Sequence, residues 1–230
     1  MKKTIVDLFE ESVLKYGNNT FLLEKTEKVF QPTTYAETHK KVYRLGAGLQ
    51  ALGVQKGDTM ALLSEGRNLW VIGELAMFYA GAINVPLSIK LEESNDLLFR
   101  LKHGDVKYVM VSGQQLKKIR QIKDCLPELI SVIVFDTQDH YEDKEISIEE
   151  LFAMGDKFLE EHSLDEFLSV SRSISNDDYA TITYTSGTTA DPKGVVLTHR
   201  NYTANVEQSL TLVNIDQNWR TLIILPLDHC

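Results

Sequence analysis

Apolar positions along the chain switch repeatedly between helical and strand spacing. Between Thr4 and Gly17 they recur every three or four residues, with Leu8, Phe9, Val13 and Tyr16 on one face. Thr4 followed by Asp7 is a start signal for that helix and Gly17 a stop signal. "TFLLEKT" and "KVFQPTTY" then predict a short hairpin. A long helical pattern runs from Tyr35 to Gly53, with Val42, Leu45, Leu49 and Leu52 on one stripe. After it, "GDTMALLS", "AINVPLS", "VKYVMVSG" and "LISVIVFD" read as buried strands. They are separated by helical patterns in "GRNLWVIGELAMFYAG", "EESNDLLFRLKHG" and "QQLKKIRQIKDCL". Near-continuous apolar strands alternating with helices at short intervals predict an α/β fold, a mostly parallel sheet flanked by helices on both faces.

The pattern loosens after residue 135. "TQDHYEDKE" is polar and reads as exposed, and "SIEELFAMGDKFLEEH" opens a helix with a capping box from Ser147 to Glu150. "SLDEFLSVSRSISNDD" reads as a helix running into a loop. Strand character returns at Ala180–Thr185 and Val195–Thr198. A helix capped by Asn201 follows, with Tyr202, Val206, Leu210 and Val213 on its face, and "TLIILPLDHC" is expected to be a buried strand. This divides the chain into an N-terminal α/β subdomain (1–135), a connecting segment (136–176) and the start of a second α/β subdomain (177–230). A parallel strand ordinarily leads to a crossover and a further strand, so the sequence is expected to be part of a longer protein.

Composition narrows the function classes. The 230 residues are 43% hydrophobic, enough for a substantial core, and carry a net charge of −9. That balance argues against a nucleic-acid partner, which needs a basic footprint, but leaves room for a local anion site. Two cysteines, Cys125 and Cys230, do not make a disulfide scaffold. Asp7, Glu10 and Glu11 break any signal-peptide core, so a cytoplasmic location is the expectation. The longest apolar stretch, Leu75–Ile89, contains Gly, Asn and Pro and is too short to span a bilayer. The basic face of "LKKIRQIK" leaves a peripheral membrane contact or a contact with a ligand phosphate open, although a solvated face is the favoured reading. Trp70, Phe78, Tyr79 and Phe99 sit at helical spacing and read as core, and Cys125 reads as a small buried hydrophobe.

Candidate chemistry is concentrated in "ITYTSGTTADPKGVVLTH", where two β-branched runs flank residues 185–194. Backbone N–H groups in a Gly-rich turn form an anion nest. Thr185, Ser186, Thr188 and Thr189 add hydroxyl donors, Gly187 and Gly194 allow close backbone approach, and Lys193 adds a point charge suited to phosphate. The order excludes a Walker A loop, because Pro192 precedes the lysine, Gly194 follows it, and the next element is a strand rather than a helix.

"YTSGTTADPKGVVLTH" resembles the phosphate-binding signature of the adenylate-forming enzymes, which include acyl-CoA synthetases, luciferases and peptide-synthetase adenylation domains. The chain has Ala190 where that pattern usually has glycine. If the position needs positive φ, alanine strains the loop by about 1 kcal/mol or more. The stretch from Tyr43 to Leu87 is similar to the N-terminal subdomain of AMP-forming long-chain fatty acyl-CoA synthetases, through its Gly-Asp turn, Arg-x-x-Trp helix start and Val-Pro strand end. The resemblance implies a ligase using ATP with Mg2+ and coenzyme A as co-substrate on a fatty acid. Acyl-adenylate and pyrophosphate form first, and the CoA thioester second. It assigns the β- and γ-phosphates to Thr185, Ser186, Gly187, Thr188, Thr189 and Lys193, and lines the acyl and pantetheine pocket with His229. The family's adenine and Mg2+ segment, ribose aspartate and catalytic lysine have no counterpart in these residues, so no catalytic residue or metal ligand is assigned and the 230 residues alone are expected to be inactive. Two alternatives stay open: another acid:CoA ligase or amino-acid adenylation domain, and a non-catalytic nucleotide-binding module.

Overall fold

The computed structural model describes residues 3–185, 192–223 and 226–228. Helix α1 (Ile5–Tyr16) is followed by an antiparallel hairpin, β1 (Thr20–Thr26) and β2 (Val29–Thr34), and by α2 (Tyr35–Ala51). There follow β3 (Thr59–Leu63), α3 (Asn68–Tyr79), β4 (Ile83–Pro86), α4 (Ser94–His103), β5 (Val106–Val111), α5 (Leu116–Arg120), a 3-10 turn at Lys123–Cys125 and β6 (Ser131–Val134). The remaining elements are β7 (Glu145–Ser147), α6 (Ile148–Glu161), α7 (Leu164–Arg172), β8 (Tyr179–Thr185), β9 (Lys193–Thr198) and α8 (His199–Leu212).

Seven strands form one sheet in the order β7-β6-β5-β3-β4-β8-β9, parallel throughout except for the antiparallel β8–β9 pair. Alternation along each strand separates two cores. Met60, Leu62, Tyr108, Met110 and Ile133 face α1, α2, α3, α6 and α7. Ala61, Leu63, Val109, Val111, Val132 and Val134 face α4 and α5. Both faces are therefore covered, as the apolar strands require. The boundaries expected after residues 135 and 176 both fall inside this sheet, since β7 comes from the connecting segment and β8–β9 from the last one.

The motifs of the long helix–strand stretch serve the fold. Gly57 adopts φ +90, a turn conformation that glycine enters without a Cβ penalty. The adjacent Asp58 carboxylate accepts from the Gln55 N–H at 2.9 Å and pairs with Lys107 at 2.6 Å. Arg67, preceding α3, donates to both oxygens of Asp136 at 2.8 and 2.9 Å, and Asp136 also accepts from the Gly113 N–H at 2.8 Å. These bonds tie together the loops at the carboxyl ends of β3, β5 and β6.

Four expectations are corrected. "TQDHYEDKE" is mostly exposed, as expected, except at its last residue, Glu145, which opens β7 and is buried against the Arg120 guanidinium at 2.7 and 2.8 Å. α8 is capped by Thr198, with Asn201 as the reciprocal partner three residues on. Cys125 is exposed, because the 3-10 turn directs Ile122 and Leu126 inward and leaves it outside. The segment expected as a buried strand shows no strand at residues 220–223, and Leu222 and Ile223 are exposed. An apolar run becomes a buried strand only where a neighbouring strand accepts its hydrogen bonds, and β9 is the sheet edge on that side.

One half-buried polar knot holds α1. Glu10 accepts hydrogen bonds from Tyr43 at 2.8 Å and from Tyr79, and lies 3.1 Å from His39 Nε2. Burial alone would raise its carboxyl, but bonds from His39, Tyr79 and Tyr43 outweigh that and hold it at about 2, against an ordinary 4.5. A depressed carboxylate stabilises above its unfolded value and loses that contribution as pH falls through the folded one. Discounted for its partial exposure, the effect is about 1–2 kcal/mol. Glu10→Gln is therefore expected to lower the Tm at pH 7 and to converge on the parent protein near pH 2. A constant difference across that range in thermal melts would contradict the role.

Candidate anion site at the β8–β9 hairpin

The β8–β9 hairpin brings the two described ends of the candidate loop into register. Thr183 faces Val195, Tyr184 faces Gly194, and Thr185 faces Lys193 across the antiparallel ladder. β-Branched residues dominate both legs, which suits the extended backbone. Thr185, Lys193 and Gly194, expected in the loop, are thus the last ladder pairs at its mouth. Ser186, Gly187, Thr188, Thr189 and Ala190 lie outside the described residues, as does His229. Both Thr185 and Lys193 are exposed, so the hydroxyl and the ammonium are presented side by side to solvent. Among the described residues Lys193 has no ion-pair partner.

Gly194 is small for a packing reason. A Cβ there would lie 3.0 Å from Ile182 Cγ2 and 3.5 Å from the Tyr184 ring. Ile182 is the neighbour that a side chain at 194 would crowd, and the Tyr184 ring lies beside it at contact distance. The Tyr184 hydroxyl reaches helix α4, 2.8 Å from His103 Nδ1 and 3.2 Å from the Arg100 carbonyl. Burial raises the Tyr184 phenol, against the Arg100 charge, which keeps it a neutral hydrogen-bonding group.

The foot of the hairpin is fixed differently. His199, just past β9, is buried at 2% exposure. Its Nδ1 accepts the Ile5 N–H at 3.3 Å, and its ring meets Phe78 edge-on. Burial pushes it down to about 4, against the charges of Asp178 and Asp7, so it is neutral at pH 7. Asp178 pairs with Lys56 at 2.7 Å, Asp177 pairs with Arg200, and Thr181 Oγ1 lies 2.8 Å from the Tyr202 hydroxyl. The "LTHRN" stretch thus anchors the hairpin and offers no second cation at its mouth.

This arrangement is a two-legged stem that ends in the Thr185 hydroxyl and the Lys193 ammonium, on either side of the sequence Ser-Gly-Thr-Thr. The family described as AMP-binding enzyme matches residues 9–230. The chain belongs to the AMP-binding enzyme family. Among curated members it is 28% identical over 234 residues to the long-chain-fatty-acid–CoA ligase ACSBG2 of Xenopus laevis, covering 98% of this chain and 31% of that protein. It is 26% identical over 224 residues to 4-coumarate–CoA ligase of Vanilla planifolia, covering 95% of this chain and 38% of that protein. The N-terminal domain of FACL13 from Mycobacterium tuberculosis superposes with a TM-score of 0.76 at 23% identity, covering 99% of this chain and 52% of that one. O-succinylbenzoate coenzyme A synthetase from Bacillus subtilis, solved in complex with AMP, gives 0.71 at 24% identity, covering 99% and 50%. The α/β architecture is therefore that of the N-terminal region of this family, and the chain spans about a third of the length of these curated relatives.

Sequence reading located the loop but not the residues that brace it. Gly194 stood out only for close backbone approach, and Tyr184 and His103 carried no signal.

Proposed function

We propose that the protein carrying this chain is an ATP-dependent, AMP-forming acid:CoA ligase whose acid is a long-chain fatty acid. In the first half-reaction the carboxylate oxygen bonds to the α-phosphorus and the α–β phosphoanhydride breaks, releasing pyrophosphate. In the second, the CoA thiolate bonds to the acyl carbon and AMP leaves. The observation that carries the reading is the pairing of Thr185 with Lys193 at the mouth of a hairpin whose two legs flank the sequence Ser-Gly-Thr-Thr. Hydroxyls and amides of Thr185, Ser186, Gly187, Thr188 and Thr189, with the Lys193 ammonium, would hold the β- and γ-phosphates as negative charge grows on the leaving group. Mg2+ would arrive as Mg-ATP. No three His, Cys, Asp or Glu side chains converge among the described residues, and phosphate oxygens and water are its usual ligands. His229 would line the acyl and pantetheine pocket.

No described helix is long and apolar enough to cross a membrane, and the three substrates named are small molecules. Similarity to a 4-coumarate ligase makes a panel of acids the deciding experiment for the acid itself. A thioester assay on the whole protein is expected to favour long-chain fatty acids, and a preference for 4-coumarate would overturn that assignment. The 230 residues alone are expected to bind magnesium pyrophosphate in calorimetry while pyrophosphate–ATP exchange stays at blank. No binding would sink the phosphate-site reading, and exchange above blank would sink the inactivity.

A further inference from the structure

The hairpin that carries the candidate anion loop is joined to the β4 ladder only near its foot. β9 is an edge strand, and β8 meets β4 through the single register pair Asn84–Thr181, near the foot. The upper half of the hairpin, where the loop begins, is held to the body through Tyr184. Its hydroxyl contacts α4 at two points, His103 Nδ1 at 2.8 Å and the Arg100 carbonyl at 3.2 Å. One phenolic proton cannot serve both. With it donated to the Arg100 carbonyl, the phenol oxygen accepts from His103 Nδ1–H, and all three groups are partnered. The His103 ring is itself stacked on Phe99 at 5.4 Å and meets the Tyr184 ring edge-on at 5.7 Å. The Tyr184 ring lies over Gly194 on the opposite leg, so whatever fixes Tyr184 fixes both legs one pair below Thr185 and Lys193.

We propose that His103 is a positioning residue for the anion loop, acting through the Tyr184 hydroxyl to set the separation and orientation of Thr185 and Lys193. The inference deepens the phosphate-site reading and takes its ligand from it. His103 touches no phosphate. It supplies a fixed bearing on a helix to a hairpin whose ladder to β4 is confined to its foot.

The test is a double-mutant cycle on the 230-residue chain with His103→Ala, Tyr184→Phe and the pair. His103 is exposed, and Tyr184→Phe keeps the ring over Gly194, so all three variants are expected to fold. Hydrogen exchange at residues 183–185 and 193–195 is expected to quicken about tenfold in each single variant, with β5 exchange unchanged. The double variant is expected to be no faster than Tyr184→Phe alone, because that substitution already removes the bond to His103. Affinity for magnesium pyrophosphate is expected to fall about five- to tenfold in step. A solely stabilising contact would lower the Tm and leave this local pattern unmoved. Parent-like exchange at the hairpin mouth in both single variants, or additive effects in the double, overturns the proposal. Faster mouth exchange in a chain that never binds pyrophosphate supports the clamp and refutes the phosphate-site reading instead.

Discussion

Gly155→Ala is expected to destabilise the protein by about 3 kcal/mol, at the upper end of ordinary overpacking effects. α2 and α6 cross with backbone against backbone. A Cβ built on Gly155 would lie 1.8 Å from the Arg44 carbonyl oxygen and 2.9 Å from the Gly48 nitrogen, and one on Gly48 would lie 2.3 Å from the Leu151 carbonyl oxygen. No rotamer change relieves a clash with backbone, so the helices must separate, and the packing of Leu151 and Phe167 in the same core loosens with them. Local propensity points the other way, since alanine inside a helix is favoured over glycine by about 1 kcal/mol. The sign of the change therefore decides between the two accounts. A stability loss of that size in a chain of this length corresponds to a Tm lower by about 6–12 °C in a circular-dichroism melt. An unchanged or raised Tm would show that the two helices do not meet as described. Gly48→Ala is expected to act in the same direction and to combine non-additively, because both substitutions open the same contact.

The parallel sheet was legible because strands buried on both faces must be apolar at nearly every position, a pattern few other structures tolerate. What escaped was whatever depended on a distant partner. β7 reads as polar loop because Glu145 carries a charge, and only the Arg120 guanidinium, 25 residues earlier, makes that carboxylate compatible with burial. Residues 221–223 fail in the opposite sense: they have strand composition without a strand to pair with. At α8 the sequence contains both members of the capping box, Thr198 and Asn201, and composition alone does not say which of two good caps stands first. The same division runs through the candidate site. Thr185 and Lys193 stood out as candidates from local order alone, because an anion nest would be built from consecutive residues. The brace at Tyr184 did not, because His103 lies 81 residues away in sequence.

Replacing Lys193 with alanine is expected to weaken magnesium pyrophosphate and Mg-ATP binding by about ten- to a hundredfold, the usual loss for a hydrogen bond to a charged group. The magnitude follows from the surroundings. The chain carries a net charge of −9, so the background field repels a polyphosphate and a local cation must offset it. Of the foot cations, Arg200 is paired with Asp177 and Lys56 with Asp178, and His199 is neutral, leaving Lys193 as the cation at the described mouth of the loop. The side chain is exposed at the end of an edge strand, so the Tm should stay within about 1–2 °C of the parent, as for other surface substitutions. Lys193→Arg is expected to recover only part of the affinity, because a planar guanidinium on a longer stem does not place its charge where a compact ammonium does. Calorimetry at two salt concentrations separates the alternatives. If Lys193 neutralises phosphate directly, the alanine variant should bind more weakly at low salt and show a shallower salt dependence. Equal affinity of parent and variant at both concentrations would mean that the hairpin mouth does not grip the nucleotide tail, and the functional reading would fall with it.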